Sequence, residues 1–169
     1  ELPSADKLRT EAKWILSKFN KVAKEVGENI DKFELGVAVS KIYDFIWDNY
    51  CDWYIELVKP RLYAKDESYE TAQKVLGYVL ANSLKLLHPF MPFITEEIFG
   101  HLPTGEESIM ISKWPEFDEN LVFEDDEKKM QLIMNGISEI RNIRTQMNVV
   151  PSKKAKVIIV ADDVKVFDG

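Results

Sequence analysis

One thiol and two imidazoles, Cys51, His88 and His101, are the only soft nucleophilic and metal-seeking groups in the sequence. A Cys–His nucleophilic pair is formally possible, but Cys51 falls in the apolar arc of a helix-patterned segment, where a small cysteine packs rather than reacts. The same count is too small for a structural zinc site, which takes four Cys or His ligands. His88 precedes Pro89 at a helix end, a place suited to capping carbonyls. The carboxylates Asp44, Asp48, Asp52 and Glu56 stand at strict i, i+4 spacing. Such a set could in principle do acid/base work or hold a cation. On a helix it is more commonly a solvated face, and it would repel a phosphate backbone. No glycine-rich phosphate loop, metal-ligand spacing or nucleophile elbow is present. No residue is therefore assigned a catalytic or a metal-binding role.

The residues with chemistry left to them are basic and aromatic. Between positions 7 and 24 lie Lys7, Arg9, Lys13, Lys18, Lys21 and Lys24, against the single acid Glu11. At 100° per residue the lysines fall opposite an apolar stripe, and Trp14 falls among Lys7, Lys18 and Lys21. An exposed indole ringed by ammonium groups can stack on an unpaired base while the lysines meet phosphates, each stack contributing roughly 1–3 kcal/mol. The same pattern also fits an indole packed against another segment, with lysines solvating the face. A second basic run, Arg141, Arg144, Lys153, Lys154 and Lys156, has no intervening acid. Arg141 and Arg144 share a helix face, as a phosphate-contact ridge or as the basic complement of a helix C-terminus.

The elements that position these groups read as helices. Ser4 and Asp6 suggest an N-terminal cap and an acidic first turn, followed by apolar residues at helical spacing from Leu8 to Val26, with Gly27 as the terminating residue. A second helix spans about 33–58, its apolar arc covering half the circumference, and Pro60 ends or kinks it. A third carries Ala72 to Leu87 and stops at His88-Pro89. Pro92 opens a short helix that closes between Gly100 and Pro103, and residues 108–115 are extended or irregular. A last long helix covers about 123–147, with Glu124 to Glu127 at its positive end. Residues 155–160 are β-branched and read as a short strand whose partners must lie past Gly169.

The chain has 169 residues, 46% apolar and 30% charged, with a net charge of −7. That is the size of one domain with enough interior to fold without staples, and one cysteine points to a reducing, cytoplasmic setting. No apolar run approaches the roughly 20 residues needed to cross a bilayer, so no membrane role is expected. The acidic total argues against binding nucleic acid through bulk charge; any such contact must be a local patch. A start at Glu1 rather than Met suggests a piece of something longer.

Ile42 to Pro60, with Cys51-Asp-Trp-Tyr54 at its centre, resembles a signature of the valyl-tRNA synthetase family, and Leu86 to Phe99 resembles its second hallmark. Ala12 to Lys18, Lys113-Trp-Pro115, Ile140 to Arg144 and Asn148 to Lys153 fit the same pattern in the same order. Phe99 stands where a Trp is common. The resemblance implies an all-α helical bundle of the class I aminoacyl-tRNA synthetase anticodon-binding type over residues 1–148. Residues 149–169 would begin the following C-terminal region, with a strand at about 155–160. It implies a role in binding the anticodon stem-loop of tRNA, through Trp14, Lys13, Lys18 and Lys21, with Arg141 and Arg144 as further candidates. The parent enzyme would attach valine to its tRNA with ATP and Mg, while this segment would hold no cofactor and no catalytic centre. Its partners would be tRNA and the catalytic domain of the same chain, with no DNA and no membrane. Two alternatives remain at this stage: the equivalent isoleucyl or leucyl domain, or a structural bundle docked on the catalytic domain through Trp14.

Overall fold

The computed structural model describes residues 2–65, 67–150, 152–158 and 160. After a single 3-10 turn at Ala5–Lys7, helix α1 spans Thr10–Asp31. Helix α2 (Leu35–Asp44) runs without a break into a π-helical stretch, Phe45–Ile55, and on into α3 (Glu56–Ala64). Helices α4 (Tyr69–Leu87) and α5 (Pro92–Gly100) follow, and α6 (Glu124–Gln146) comes last. Helix α1 is the central element, packed against α2, α4, α6 and the π stretch. The main core gathers Ala12, Ile15, Leu16 and Phe19 of α1, Ile42, Phe45 and Tyr54 of the second helix, Val75 and Val79 of α4, and Met130 of α6. A smaller cluster of Ala81, Leu84, Phe99 and Ile109 fixes α5 to the far end of α4.

Helix boundaries differ from the sequence expectation where tertiary contacts outweigh local signals. Gly27 does not end α1, which continues to Asp31. A Cβ on Gly27 would meet Trp114 Nε1 at 4.0 Å, an ordinary contact, so nothing at this position requires glycine. The true terminator is a Schellman turn in which Glu34 N–H donates to Asn29 O at 2.8 Å and Phe33 N–H to Ile30 O at 2.9 Å. Pro60 does not end its helix but lies inside α3. Val58 and Arg61, both buried on either side of it, hold the chain helical to Ala64, where Lys65 takes a left-handed conformation. The π stretch widens the ladder to i→i+5. Tyr50 Oη, within it, donates to Leu76 O at 3.0 Å and ties it to α4.

The Schellman turn places Phe33 at φ 58°, in the left-handed region, with its ring 88% exposed. A bulky side chain there is strained, and glycine is the residue that fits. Phe33→Gly is expected to stabilise the domain by about 0.5–1 kcal/mol, seen as a rise in thermal midpoint. An unchanged or lowered midpoint would show that the ring contributes to the fold.

The expected strand at 155–160 is not found. Residues 155–158 and 160 are exposed coil, and Ile159 lies outside the described residues. A strand is defined by ladder bonds to a neighbour, and none of the described residues supplies one. Among the described residues no helix is long and apolar enough to cross a membrane.

Candidate nucleic-acid interface

The basic face of α1 is largely spoken for within the fold. Glu127, in the first turn of α6, receives Lys21 Nζ at 2.6 Å and accepts a short hydrogen bond from Ser17 Oγ. Lys13 Nζ sits 5.8 Å from the centroid of Phe123, and Lys24 Nζ 5.1 Å from that of Phe117. Asn20 is buried and pairs in both directions with the backbone of Asp118, its Nδ2 donating to the carbonyl at 2.7 Å and its Oδ1 accepting from the amide at 2.8 Å. Phe123 N–H donates to Ser17 Oγ at 3.0 Å. The acidic segment 117–127 is thus the partner of the basic helix, as opposite charges at partly buried sites favour. Lys18 remains half-exposed, and Lys7 and Arg9 are exposed.

Trp14 is not an exposed platform. Its side chain is 1% exposed, in the core that also holds Met130, with Trp53, Ile133 and Met134 packed against that core. Helix α6 packs along α1, and the indole lies in the shared core instead of on a free face of the helix. A large apolar ring gains its burial energy there. Base stacking at Trp14, and docking of another domain through it, both require a face the indole does not have.

The second basic run is placed differently. Beyond Met130, α6 carries no residue that is fully buried, and Arg141 is exposed. Its guanidinium lies 5.5 Å from the Trp53 ring centroid, a cation–π contact that orients the fork while leaving its donors open. Arg144 Nη2 donates to Val150 O and Lys153 O, both at 2.8 Å, folding the chain back after α6. A second Schellman turn ends this helix, with Asn148 left-handed at φ 52° and Val149 N–H donating to Arg144 O at 2.8 Å. Arg141, Arg144, Thr145, Asn148, Val149 and Val150 enclose an open groove of about 610 Å³. Lys153, Lys154 and Lys156 follow it, all exposed. The structure therefore brings Arg141 and Arg144 together at one groove and leaves Lys13, Lys18 and Lys21 on another face. Trp53 and Asn148 were missed from sequence: Trp53 lies in a wide apolar arc, and nothing local says which edge of that arc faces Arg141, 88 positions away.

The other chemical candidates take structural places. Asp44, Asp48, Asp52 and Glu56 are all exposed, and among the described residues no group of His, Cys, Asp and Glu is placed to hold a metal. The side chain of His88 does not cap carbonyls: its Nδ1 meets Thr95 Oγ1 at 2.7 Å and its Nε2 lies 2.9 Å from Met110 Sδ, clamping the turn between α4 and α5. Burial, with the neighbouring Asp52 carboxylate adding to it, pushes the Cys51 thiol above its ordinary range. Its thiolate therefore forms at higher pH than that of a free cysteine. Alkylation of Cys51 by iodoacetamide near pH 8 is expected to lag behind that of a model thiol and to catch up only as pH rises. An equal or faster rate would mark an activated thiol.

The family model described as anticodon-binding domain of tRNA ligase matches residues 12–159. Among curated relatives, the valine–tRNA ligase of Clostridium tetani is 56% identical over 151 residues, 89% of this chain and 17% of that protein. The valine–tRNA ligase of Clostridium perfringens is 54% identical over 151 residues, again 89% and 17%. That of Thermotoga maritima is 46% identical over 154 residues, 91% of this chain and 18% of the relative. The chain thus spans less than a fifth of the length of these relatives. With its helical architecture and a family match over most of its length, the chain belongs to the anticodon-binding domains of the tRNA ligases.

Proposed function

We propose that the chain binds the anticodon stem-loop of a tRNA as one segment of a valine–tRNA ligase, whose remaining parts activate valine with ATP and Mg and transfer it in the cytoplasm. The observation that supports this best is the groove at the end of α6, where the exposed Arg141 guanidinium lies 5.5 Å from the Trp53 ring centroid. An arginine beside an aromatic ring can still give its hydrogen-bond donors to phosphate or a base edge, and its planar group can stack on an unpaired nucleotide. Lys153, Lys154 and Lys156 extend the positive charge along the path a backbone would take. Lys18 and Lys13 are second-rank phosphate contacts from α1, and Lys21 contributes less because Glu127 already neutralises it. The left-handed Asn148 turns the chain out of α6, and the family match continues past it to residue 159. The placement of Trp14 in the core weakens the alternative in which the bundle is structural and docks through that ring.

Titrating a valine-tRNA anticodon stem-loop into the protein tests this reading. Arg141→Ala is expected to weaken binding about five- to twentyfold and to lower the salt dependence by about one phosphate contact. Arg141→Lys, which keeps the charge and loses the plane, should recover only part of the affinity. If Arg141→Ala and Arg144→Ala both bind as the unmodified chain does, the groove is not the RNA site.

A further inference from the structure

The end of the bundle opposite the α6 groove carries an apolar surface that none of the described elements covers. The turn between α1 and α2 presents Phe33, 88% exposed, and Leu35, 48% exposed. A cleft of about 340 Å³ separates Leu35 from Phe90 of the α4–α5 turn, and the chain continues from Phe90 into the exposed Met91 and Phe93, the latter 91% exposed. Trp114 and Gly27 form part of the cleft wall, and the one ionisable group lining it is Asp31. Single exposed apolar residues are ordinary, but a contiguous set around a cleft marks an interaction surface. Apart from Asp31 the lining is apolar, which suits an apolar partner better than a phosphate backbone or an anionic lipid.

Phe33 adds an independent observation. Its left-handed backbone is a strained place for an aromatic residue, and within this domain the exposed ring returns nothing for that strain. Such outliers persist where something else uses the side chain. A projecting aromatic beside an apolar cleft has the form of an interface anchor. The relatives continue for more than four fifths of their length outside the matched segment, so an apolar surface on the same polypeptide is always at hand and needs no intermolecular encounter.

We infer that the surface around Phe33, Phe90 and Phe93 docks an apolar face of the remaining polypeptide of the same ligase, with Phe33 as the inserted anchor. The docking rests on membership of the ligase family and not on where RNA binds, so either can fail without the other.

Hydroxyl-radical footprinting tests it in a full-length valine–tRNA ligase that contains this segment. Oxidation of Phe33, Met91 and Phe93 is expected to fall several-fold in the full-length enzyme relative to the 169-residue chain. In the full-length enzyme Phe33→Gly is expected to raise the oxidation of Met91 and Phe93 several-fold, although the same change relieves strain in the domain. Equal labelling in the two proteins overturns the inference. So does protection found already in a 169-residue chain that sediments as a dimer, which would assign the face to a second copy, or protection that appears only when tRNA is added. Should the short chain fail to fold, unchanged labelling of Met91 and Phe93 between the full-length enzyme and its Phe33→Gly form overturns it equally.

Discussion

Trp14→Ala is expected to lower the stability of the domain by about 3–5 kcal/mol, which would leave a domain of ordinary stability barely folded at 25 °C. The indole is 1% exposed and sits where α1 meets the layer that includes Met130, so its removal opens a cavity between elements that cannot easily close over it. The denaturant midpoint should fall while the slope stays near that of the unmodified protein. Trp14→Phe keeps most of the apolar contact and should cost markedly less. RNA titrations at a temperature where Trp14→Ala is still folded separate packing from recognition. The affinity of the folded fraction should be unchanged. A loss of affinity with little loss of stability would restore the indole to the RNA surface and contradict its burial.

Arg61→Ala is expected to cost somewhat less, about 2–3 kcal/mol, because it strips the partner from a carboxylate that is largely but not fully out of water. Arg61 is 6% exposed, and its guanidinium joins three segments of the chain. Nη1 pairs with Glu11 of α1, Nε donates to Ser68 Oγ at 2.8 Å, and Nη2 donates to Ser68 O at 3.1 Å. One side chain therefore fixes α3 against α1 and sets the entry to α4. Arg61→Ala leaves Glu11 desolvated without a counter-charge, the costly case for a buried pair. The double replacement Glu11→Leu with Arg61→Met removes both charges at similar volume and should recover most of the loss. Were the single and double variants equally unstable, the Ser68 bonds rather than the ion pair would hold the corner. Tyr54 lies in the same region, its phenol pushed well above its usual range by burial first and by the Glu11 carboxylate second, with Arg61 opposing. The loss of Arg61 removes that opposing charge and should move the phenol higher still.

The candidate site shows why a local reading of charge misplaces a surface. Six basic residues against one acid over positions 7–24 look like a nucleic-acid face when α1 is considered alone. In the fold, Glu127 and the rings of Phe117 and Phe123 meet Lys21, Lys24 and Lys13. Glu127, the acid that pairs with Lys21, lies 106 positions later, and the wheel cannot show it. The second basic run lies on the exposed half of α6 and on the chain that follows it, away from the segment that meets α1.

The sequence by itself determined the helices, the family and the absence of local catalytic motifs. Apolar spacing marks α1, α4 and α6 to within a few residues because a helix that buries one stripe must repeat it every 3.6 positions. The apolar arc over about 33–58 marks a helix, but Tyr43 and Trp47 within it are exposed, which the wheel does not show. What the tertiary structure decided is which neighbour covers which flank. Trp14 is core because α6 lies over it, Arg141 is oriented because Trp53 of another helix lies under it, and Pro60 stays helical because Val58 and Arg61 are anchored on both sides. Each of these depends on contacts between distant positions whose partners compete for the same surface, and their outcome is settled by the total buried area and paired charge of the assembled fold rather than by any local pattern.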